Sequence, residues 1–262
     1  MGEVLLQLSS VSMRFGGLKA LDSVDLTFEP GRIMGLIGPN GSGKTTVFNL
    51  ISGIYRPSEG RIVFGGRDIT GLKPDAVNRL GIARTFQNIR LFRDMSVFEN
   101  VLVGCHTRIG NPVWDDFCNT GRRRRCEKEA MAMAEELLEM FGLTSHARQH
   151  ARNLPYGLQR ELEIVRAMAS RPRLLLLDEP AAGMNPQETA HLMDLIAQLR
   201  DRGVTILLVE HDMKVVMGIC EWIAVLNFGR KISEGTPATV QNDVRVIEAY
   251  LGRRARDHAG PN

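Results

Sequence analysis

The segment from Gly38 to Thr45 constrains the fold of this chain more than any other feature. It reads GPNGSGKT, which matches GxxxxGK followed by Ser or Thr, and it lies between an apolar, strand-like segment over residues 32–37 and a helical one. The glycines allow close backbone approach to a phosphate, and successive N–H groups of the loop and of the helix N-terminus point towards its oxygens. This context predicts a nucleoside triphosphate site rather than a simple glycine-rich turn.

The loop residues divide the binding chemistry among them. Lys44 places a cation beside the phosphates and has a predicted catalytic role, and the Thr45 hydroxyl can bind a Mg²⁺ ion that bridges the β- and γ-phosphates. Backbone groups of the other residues are expected to line the same phosphates. The predicted phosphate-binding residues are Gly38, Pro39, Asn40, Gly41, Ser42, Gly43, Lys44, Thr45 and Thr46.

A pair of carboxylates follows the most apolar strand-like segment. Four leucines, residues 174–177, come directly before Asp178 and Glu179. At the end of a buried strand, Asp178 can hold the Mg²⁺ shell through water, while Glu179 is placed to orient or deprotonate an attacking water. A solvated strand end is the usual interpretation of an isolated pair of this kind, but the leucine run and the upstream phosphate loop favour catalysis.

Two further polar residues follow predicted strands. Gln87 comes after residues 82–85, and His211 comes after residues 204–209. Side chains at the carboxyl ends of parallel strands gather near a phosphate loop, so either residue could sense the γ-phosphate. For His211 taken singly, a buried and hydrogen-bonded structural histidine is the alternative interpretation.

The alternation of strand-like and helical segments predicts an α/β fold with a mostly parallel sheet, and the early segments 5–15 and 20–28 predict an added antiparallel layer. Residues 127–141 and 158–169 predict helices of a small helical subdomain. One face of the first helix is expected to consist of Met131, Ala134, Leu137, Leu138 and Phe141. Residues 111–125 show no steady period and are interpreted as an insertion.

Composition limits the class of protein. The formal charge of +3 over 262 residues does not favour nucleic acid as a partner, and the longest apolar runs are far below the ~18 residues needed to cross a bilayer. The start of the chain lacks a secretion signal, and the four cysteines lack zinc-ligand spacing. We therefore expect a cytoplasmic protein. The arginines at 122–125 fit a solvated charge patch, with attraction to anionic lipid as the alternative.

The order of these motifs resembles the nucleotide-binding domain of ABC transporters over nearly the whole chain. The resemblance implies a P-loop NTPase core that binds ATP with Mg²⁺ and hydrolyses ATP. It also implies that Phe15 stacks on adenine, that Gln87 links the metal to a membrane subunit, and that His211 is the switch histidine. In that family two such domains form a sandwich, and each ATP lies between one phosphate loop and the signature sequence of the other subunit.

The signature departs from the usual LSGGQ. Residues 154–159 read LPYGLQ, so Gly157 still permits close approach to a γ-phosphate, but Pro155 lacks the serine hydroxyl. The missing hydrogen bond to a charged oxygen is worth on the order of 1.5 to 3 kcal/mol. We expect the ATP site formed by Lys44, Glu179 and His211 to be fully active and the ATP site of a different partner ATPase to be weakened.

Four segments resemble the ATPases of branched-chain (hydrophobic) amino-acid uptake systems, in particular the longer of their two paired ATPases. These are FGGLKAL at 15–21, ARTFQNIRLF at 83–92, AAGMNP at 181–186 and VIEAYLG at 246–252. Asn185 replaces the D-loop aspartate of most relatives. The substrate stays open, because related importers move urea, other amides or other amino acids.

The resemblance implies several partners on the inner face of the cell membrane. These are two transmembrane permease subunits, a second ABC ATPase in a heterodimer, with a homodimer as the alternative, and indirectly a periplasmic substrate-binding protein. Docking of the permeases is expected beside Gln87, against Arg90, Leu91, Phe92 and Phe98, although core packing equally explains Leu91 and Phe92.

The same resemblance implies a division of the chain into parts. We expect one ABC ATPase domain over residues 1–252, with a RecA-like core at 1–95 and 171–252, a helical subdomain at 96–170 and a basic, flexible tail at 253–262. A soluble ABC ATPase that acts on ribosomes or DNA is disfavoured, because such proteins carry two domains or a long coiled coil. A P-loop GTPase is disfavoured because the sequence lacks NKxD.

Overall fold

The structure, a computed structural model, describes the backbone of residues 4–109 and 121–257 and the side chains of residues 4–105 and 125–250. The strands are β1 (Leu6–Phe15), β2 (Leu18–Phe28), β3 (Ile33–Ile37), β4 (Glu59–Phe64), β5 (Arg67–Asp68), β6 (Ile82–Arg84), β7 (Leu174–Asp178), β8 (Thr205–Val209), β9 (Trp222–Asn227) and β10 (Arg230–Gly235). The helices are α1 (Lys44–Ile51), α2 (Pro74–Arg79), α3 (Val97–Ile109), α4 (Gly121–Met140), α5 (Tyr156–Met168), α6 (Pro186–Asp201), α7 (Met213–Ile219), α8 (Pro237–Gln241) and α9 (Val244–Asp257).

A six-stranded sheet in the order β10-β9-β3-β8-β7-β6 forms the centre of the fold. Its neighbouring strands are parallel except β10, which pairs antiparallel with β9 in a hairpin. Every residue of β3, β7 and β8 is buried, because the strands are covered on both faces, and this explains their unbroken apolar runs. The predicted α/β class with a mostly parallel sheet is confirmed.

The second sheet is antiparallel and has the order β2-β1-β4-β5. Leu6 on β1 pairs with Phe28 on β2 and with Phe64 on β4. One hydrophobic cluster joins this sheet, α1 and one face of the central sheet, and Phe28 and Phe48 are its largest fully buried side chains. The predicted antiparallel layer is therefore confirmed, and it encloses the helix that follows the phosphate loop.

Helices α3, α4 and α5 pack against one another beside the central sheet. Ala134, Leu137 and Leu138 on α4 are buried in the shared core, as predicted. The prediction was wrong for Met131, which is 47% exposed. The elements packed against α4 cover only a narrow face of the helix, and Met131 lies outside it. Residues 121–125 begin α4 and are not irregular, while residues 110–120 of the predicted insertion lie outside the described residues.

The C-terminal helix α9 continues to Asp257, so the predicted flexible tail begins in helix, and residues 258–262 lie outside the described residues. None of the helices described here is both long and apolar enough to cross a lipid bilayer. The carboxyl ends of β3, β6, β7 and β8 meet at one edge of the central sheet. That edge carries most of the predicted site residues.

Candidate functional site

A cavity of about 790 Å³ opens at this edge of the sheet. Phe15, Gln87, Glu179 and His211, which are far apart in the sequence, line it together. The phosphate loop contributes Asn40, Gly41, Gly43, Lys44, Thr45 and Thr46. The structure therefore brings together ten of the predicted site residues, and the lining does not include Gly38, Pro39, Ser42, Asp178 or Gly157.

The phosphate loop connects the end of β3 to the start of α1. Gly38 has φ 147° and Gly43 has φ 109°, both in the left-handed region that favours glycine. A Cβ atom at Gly38 would lie 2.1 Å from the Leu226 carbonyl oxygen, and one at Gly43 would lie 2.6 Å from a methyl group of Leu21. Neither position accepts a larger residue, because the loop backbone packs directly against its neighbours at both glycines.

Two side chains of the loop, those of Lys44 and Ser42, carry donor groups that can bind an anion. Lys44 Nζ donates hydrogen bonds to the Gly38 carbonyl at 2.6 Å and to the Pro39 carbonyl at 3.1 Å. The buried Ser42 hydroxyl has no hydrogen-bond partner within the part of the chain that the structure describes. A buried hydroxyl without a partner is costly, and phosphate oxygens supply the acceptors that it lacks. The loop therefore fits a bound nucleotide phosphate group.

Glu179 lies at the centre of three strand ends. Its Oε2 atom accepts a hydrogen bond from Gln87 Nε2 at 2.8 Å and lies 3.7 Å from His211 Nδ1. The backbone of Glu179 has φ 47°, an unfavourable conformation for a non-glycine residue, and its N–H donates to the Val209 carbonyl at 2.9 Å. The carboxylate is thus held in one position over the loop.

His211 is exposed over 67% of its side chain, so the interpretation as a buried structural histidine is wrong. The neighbouring Glu210, which sequence reasoning missed, is buried and accepts hydrogen bonds from the N–H groups of Ala181 at 2.9 Å and His211 at 3.2 Å. Burial raises the pKa of Glu210, and these two N–H donors oppose the rise. Through these two hydrogen bonds, Glu210 links the loop that follows β7 to the loop that follows β8. An acid directly after an apolar strand was the available sequence signal.

Asp178 lines a second cavity of about 670 Å³, together with Thr45 and Gln87, and these three residues could hold Mg²⁺. Its Oδ2 atom accepts a 2.9 Å hydrogen bond from Arg84 Nη2, and both side chains are only 8% exposed. Burial lowers the pKa of Arg84, while the hydrogen bond to Asp178 opposes this effect. Sequence reasoning did not identify Arg84, because a single arginine near the end of a strand gives no distinctive signal.

Phe15 lies at the mouth of the first cavity and is 42% exposed. Its ring contacts Tyr55 edge-on, with ring centroids 5.2 Å apart and an angle of 73° between the planes. This contact supports the Phe15 ring on one side, and the residue still exposes 42% of its surface. The ring is therefore able to stack on a planar base bound above the phosphate loop.

The signature segment lies apart from both cavities. Helix α5 begins at Tyr156, two residues before the predicted start, and Pro155 is its N-cap, without a side-chain hydrogen bond. Gly157 is buried at the first turn, and Tyr156 donates a 2.9 Å hydrogen bond to the Ala182 carbonyl. Asn185 caps α6 through a reciprocal pair of hydrogen bonds with Glu188. The structure does not bring Gly157 to the phosphate loop of its own chain.

The four residues expected to contact a membrane subunit are distributed over different sites. Arg90 lines the cavity of about 670 Å³ and stacks on Phe86 at 4.2 Å, whereas Leu91 lines a smaller cavity of about 260 Å³. Phe98 lines a cavity of about 820 Å³ between α3 and α4. Phe92 is 45% exposed, which excludes core packing for this residue, while Leu91 is partly buried against the core.

Comparison with known proteins gives consistent matches along the chain. Family models described as "ABC transporter" and "Branched-chain amino acid ATP-binding cassette transporter" match residues 21–182 and 230–256. The chain is 48% identical to the high-affinity branched-chain amino acid transport ATP-binding protein LivG of Escherichia coli, over 96% of this chain and 99% of the relative. It is 47% identical to BraF of Pseudomonas aeruginosa, described in the same words, over the same shares of the two chains.

The solved structures agree with the sequence matches. The ADP conformation of MJ1267, described as an ATP-binding cassette of an ABC transporter, aligns with a TM-score of 0.84 and 32% sequence identity. The alignment covers 95% of this chain and 99% of that one. The likeness therefore extends over both sheets and the helices between them.

Proposed function

Since this chain belongs to the ATP-binding proteins of ABC transporters, in the group of branched-chain amino acid transport ATP-binding proteins, we propose that it hydrolyses ATP to power the import of branched-chain amino acids. The observation that carries the proposal is the convergence of Gln87, Glu179 and His211 on the cavity above Lys44. These groups come from the ends of three different strands. A structural role would not require them to meet.

ATP binding uses groups that are already in place. The ammonium of Lys44 exchanges the Gly38 and Pro39 carbonyls for phosphate oxygens, and the Ser42 hydroxyl gains an acceptor. The adenine stacks on the exposed face of Phe15. Thr45, Gln87 and Asp178 would hold Mg²⁺, which would neutralise charge on the phosphates.

Hydrolysis depends on the position of one carboxylate. Glu179 orients the attacking water or takes its proton, and its Oε2 atom is held by Gln87 and faced by His211. These contacts fix where the proton is accepted. The strained backbone at Glu179 adds to this restriction, because such a conformation persists only where its surroundings enforce it.

The assembly is a sandwich of two ATPases. The first turn of α5, which carries Gly157, lies apart from the loop of the same chain, and its N-terminal N–H groups are suited to the γ-phosphate on a second subunit. We propose a heterodimer with a second ABC ATPase, with a homodimer as the alternative. Pro155 then weakens the ATP site of the partner more than the site on this chain.

Two transmembrane permease subunits are the proposed membrane partners, and a periplasmic substrate-binding protein acts through them. Arg90 and the exposed Ile54, which both line the cavity of about 670 Å³ beside Gln87, offer charge and apolar surface for a permease helix. The subunit is then peripheral, on the cytoplasmic face of the cell membrane, and nucleic acid is not a partner.

Uptake of labelled leucine by cells that lack this chain tests the proposal. The wild-type chain restores uptake, and Lys44→Ala does not, because the phosphates lose their cation. Lys128→Ala, at an exposed position on α4, is the matched control and restores uptake. Restored uptake of urea without leucine would assign the amide class instead. If neither solute is taken up although the complex assembles, the proposal of import fails.

A further inference from the structure

Arg84, at the end of β6, has a side chain that is only 8% exposed and has no place in the nucleotide-binding motifs. Its guanidinium contacts three polar side chains from two different parts of the fold. Nη2 donates to Asp178 Oδ2 at 2.9 Å, and Nη1 donates to Asn49 Oδ1 at 2.6 Å and to Ser52 Oγ at 3.2 Å. The side chain thus connects the end of β7 to the C-terminal part of α1.

Two aromatic rings hold the guanidinium in place. Its central carbon lies 5.4 Å from the centroid of Phe48 and 5.1 Å from that of Phe86. Phe48 is fully buried in the core, whereas Phe86 lines the cavity of about 670 Å³ beside Gln87. A cation near aromatic rings and away from water is attracted by their faces, and this restricts the rotamer further.

The geometry favours arginine over other cations at this position. Only one oxygen of Asp178 contacts Arg84, so the other oxygen is not used by this ion pair. A planar guanidinium can donate to a carboxylate on one side and to an amide on the other, whereas an ammonium group is a compact point charge. Arg84 can therefore fix the direction of Asp178 relative to Thr45, which lies in the first turn of the same helix that carries Asn49.

We infer that Arg84 is a positioning residue that orients the carboxylate of Asp178 towards the Mg²⁺ of bound nucleotide. This inference rests on the proposed role of Asp178 in holding that ion. Two effects of Arg84 oppose each other, since its charge competes with Mg²⁺ for the carboxylate while its hydrogen bonds hold the carboxylate in place. The anchors on α1 and the two rings make orientation the larger effect.

The test is the affinity of the purified chain for a fluorescent, non-hydrolysable ATP analogue, measured with Mg²⁺ and with EDTA. Arg84→Met loses most of the tightening caused by Mg²⁺, with a reduction of about tenfold, which corresponds to about 1.4 kcal/mol. Its affinity in EDTA stays that of the wild type, because the phosphate loop is unchanged. Arg84→Lys retains part of the effect, and Arg61→Met, at an exposed ion pair with Asp68, retains all of it.

Asn49→Ala serves if Arg84→Met fails to fold, because it keeps both charges and removes only the shorter of the two hydrogen bonds that anchor Arg84 at α1. We expect it to reduce the Mg²⁺ effect by about twofold to fivefold, the cost of one hydrogen bond. Unchanged or tighter Mg²⁺-dependent binding in the Arg84 and Asn49 variants would overturn the inference, since charge competition would then be the larger effect.

Asp178→Asn distinguishes failure of the positioning role of Arg84 from failure of the proposed metal role of Asp178. If it loses the Mg²⁺ effect while the Arg84 and Asn49 variants keep it, the role of Arg84 alone is refuted. If Asp178→Asn itself keeps the full Mg²⁺ effect, the proposed metal role of Asp178 is wrong, and the inference falls with it.

Discussion

Gln87 Nε2 donates a 2.8 Å hydrogen bond to Glu179 Oε2, although the two residues are 92 positions apart in the sequence. Because Gln87 also lines the cavity in which Arg90 lies, this bond links the proposed permease site to the proposed base. A movement of the loop after β6 would therefore change the orientation of the carboxylate directly. The same carboxylate oxygen lies 3.7 Å from His211 Nδ1, so we expect hydrolysis to depend on both contacts.

His211→Ala should slow ATP hydrolysis by about tenfold to a hundredfold in the assembled complex, because the side chain lies 3.7 Å from the Glu179 carboxylate and lines the cavity above the phosphate loop. Phosphate release under saturating ATP measures this. His191→Ala is the matched control, since His191 is exposed to a similar degree, at 59%, and lies away from the cavity on α6. Equal rates of hydrolysis for the two variants would show that His211 has no role in the reaction.

Phe15→Ala should weaken ATP binding by about 1 to 3 kcal/mol, the range for stacking of a base on an aromatic ring. Phe15→Trp should restore the affinity. Competition by inorganic triphosphate provides the control, because that ligand contacts the phosphate loop without a base and should bind wild type and variant alike. An equal loss of affinity for triphosphate would mean that Phe15 supports the loop and not the adenine.

Glu161→Gln should stabilise the fold at neutral pH by about 1 kcal/mol, because it replaces a buried carboxylate anion, which is costly to remove from water, with an uncharged amide of similar shape. Burial raises the pKa of Glu161. The nearby His191 lowers this pKa, and the negative charge of Glu188 raises it further. Because the pKa of Glu161 is higher in the folded state than its ordinary value of 4.5, the fold loses stability as the pH rises from 4.5 through the pKa of the folded state. The gain from the substitution is therefore present at pH 7 and shrinks towards pH 4.5.

Thermal unfolding of the wild type and of Glu161→Gln at a series of pH values measures this difference. Glu135→Gln, at an exposed position on α4, is the control and should unfold like the wild type at each pH. A stabilisation by Glu161→Gln that grows as the pH falls would contradict the sign of the argument.

Pro155→Ser should speed ATP turnover at the phosphate loop of the partner ATPase, because the new hydroxyl can donate to the γ-phosphate there. Serine also caps a helix better than proline does, so rates must be compared per assembled complex. Inactivation of one site at a time, by substitution of the phosphate-loop lysine, assigns the rate to a site. An unchanged rate at the partner site would refute the hypothesis that Pro155 makes this site less active than the site on this chain.

The sequence predicted those parts of the fold and site that depend on local spacing. The loop from Gly38 to Thr45 and the buried strand before Asp178 are local patterns, and the structure places them at the same edge of the sheet. Arg84 was missed because its importance comes from partners on α1 and β7, which only the tertiary fold brings near. Met131 fits the helical period of α4, but its exposure depends on how wide a face the neighbouring helices cover.

The proposed function is tested most directly by the ATPase activity of the chain with its membrane complex in proteoliposomes, as leucine-loaded binding protein is added. We expect leucine-loaded protein to stimulate turnover and Glu179→Gln to abolish the stimulation while ATP binding persists, because the base is lost and the phosphate loop is intact. Turnover that does not respond to leucine-loaded protein, or stimulation that survives Glu179→Gln, would contradict the proposed function.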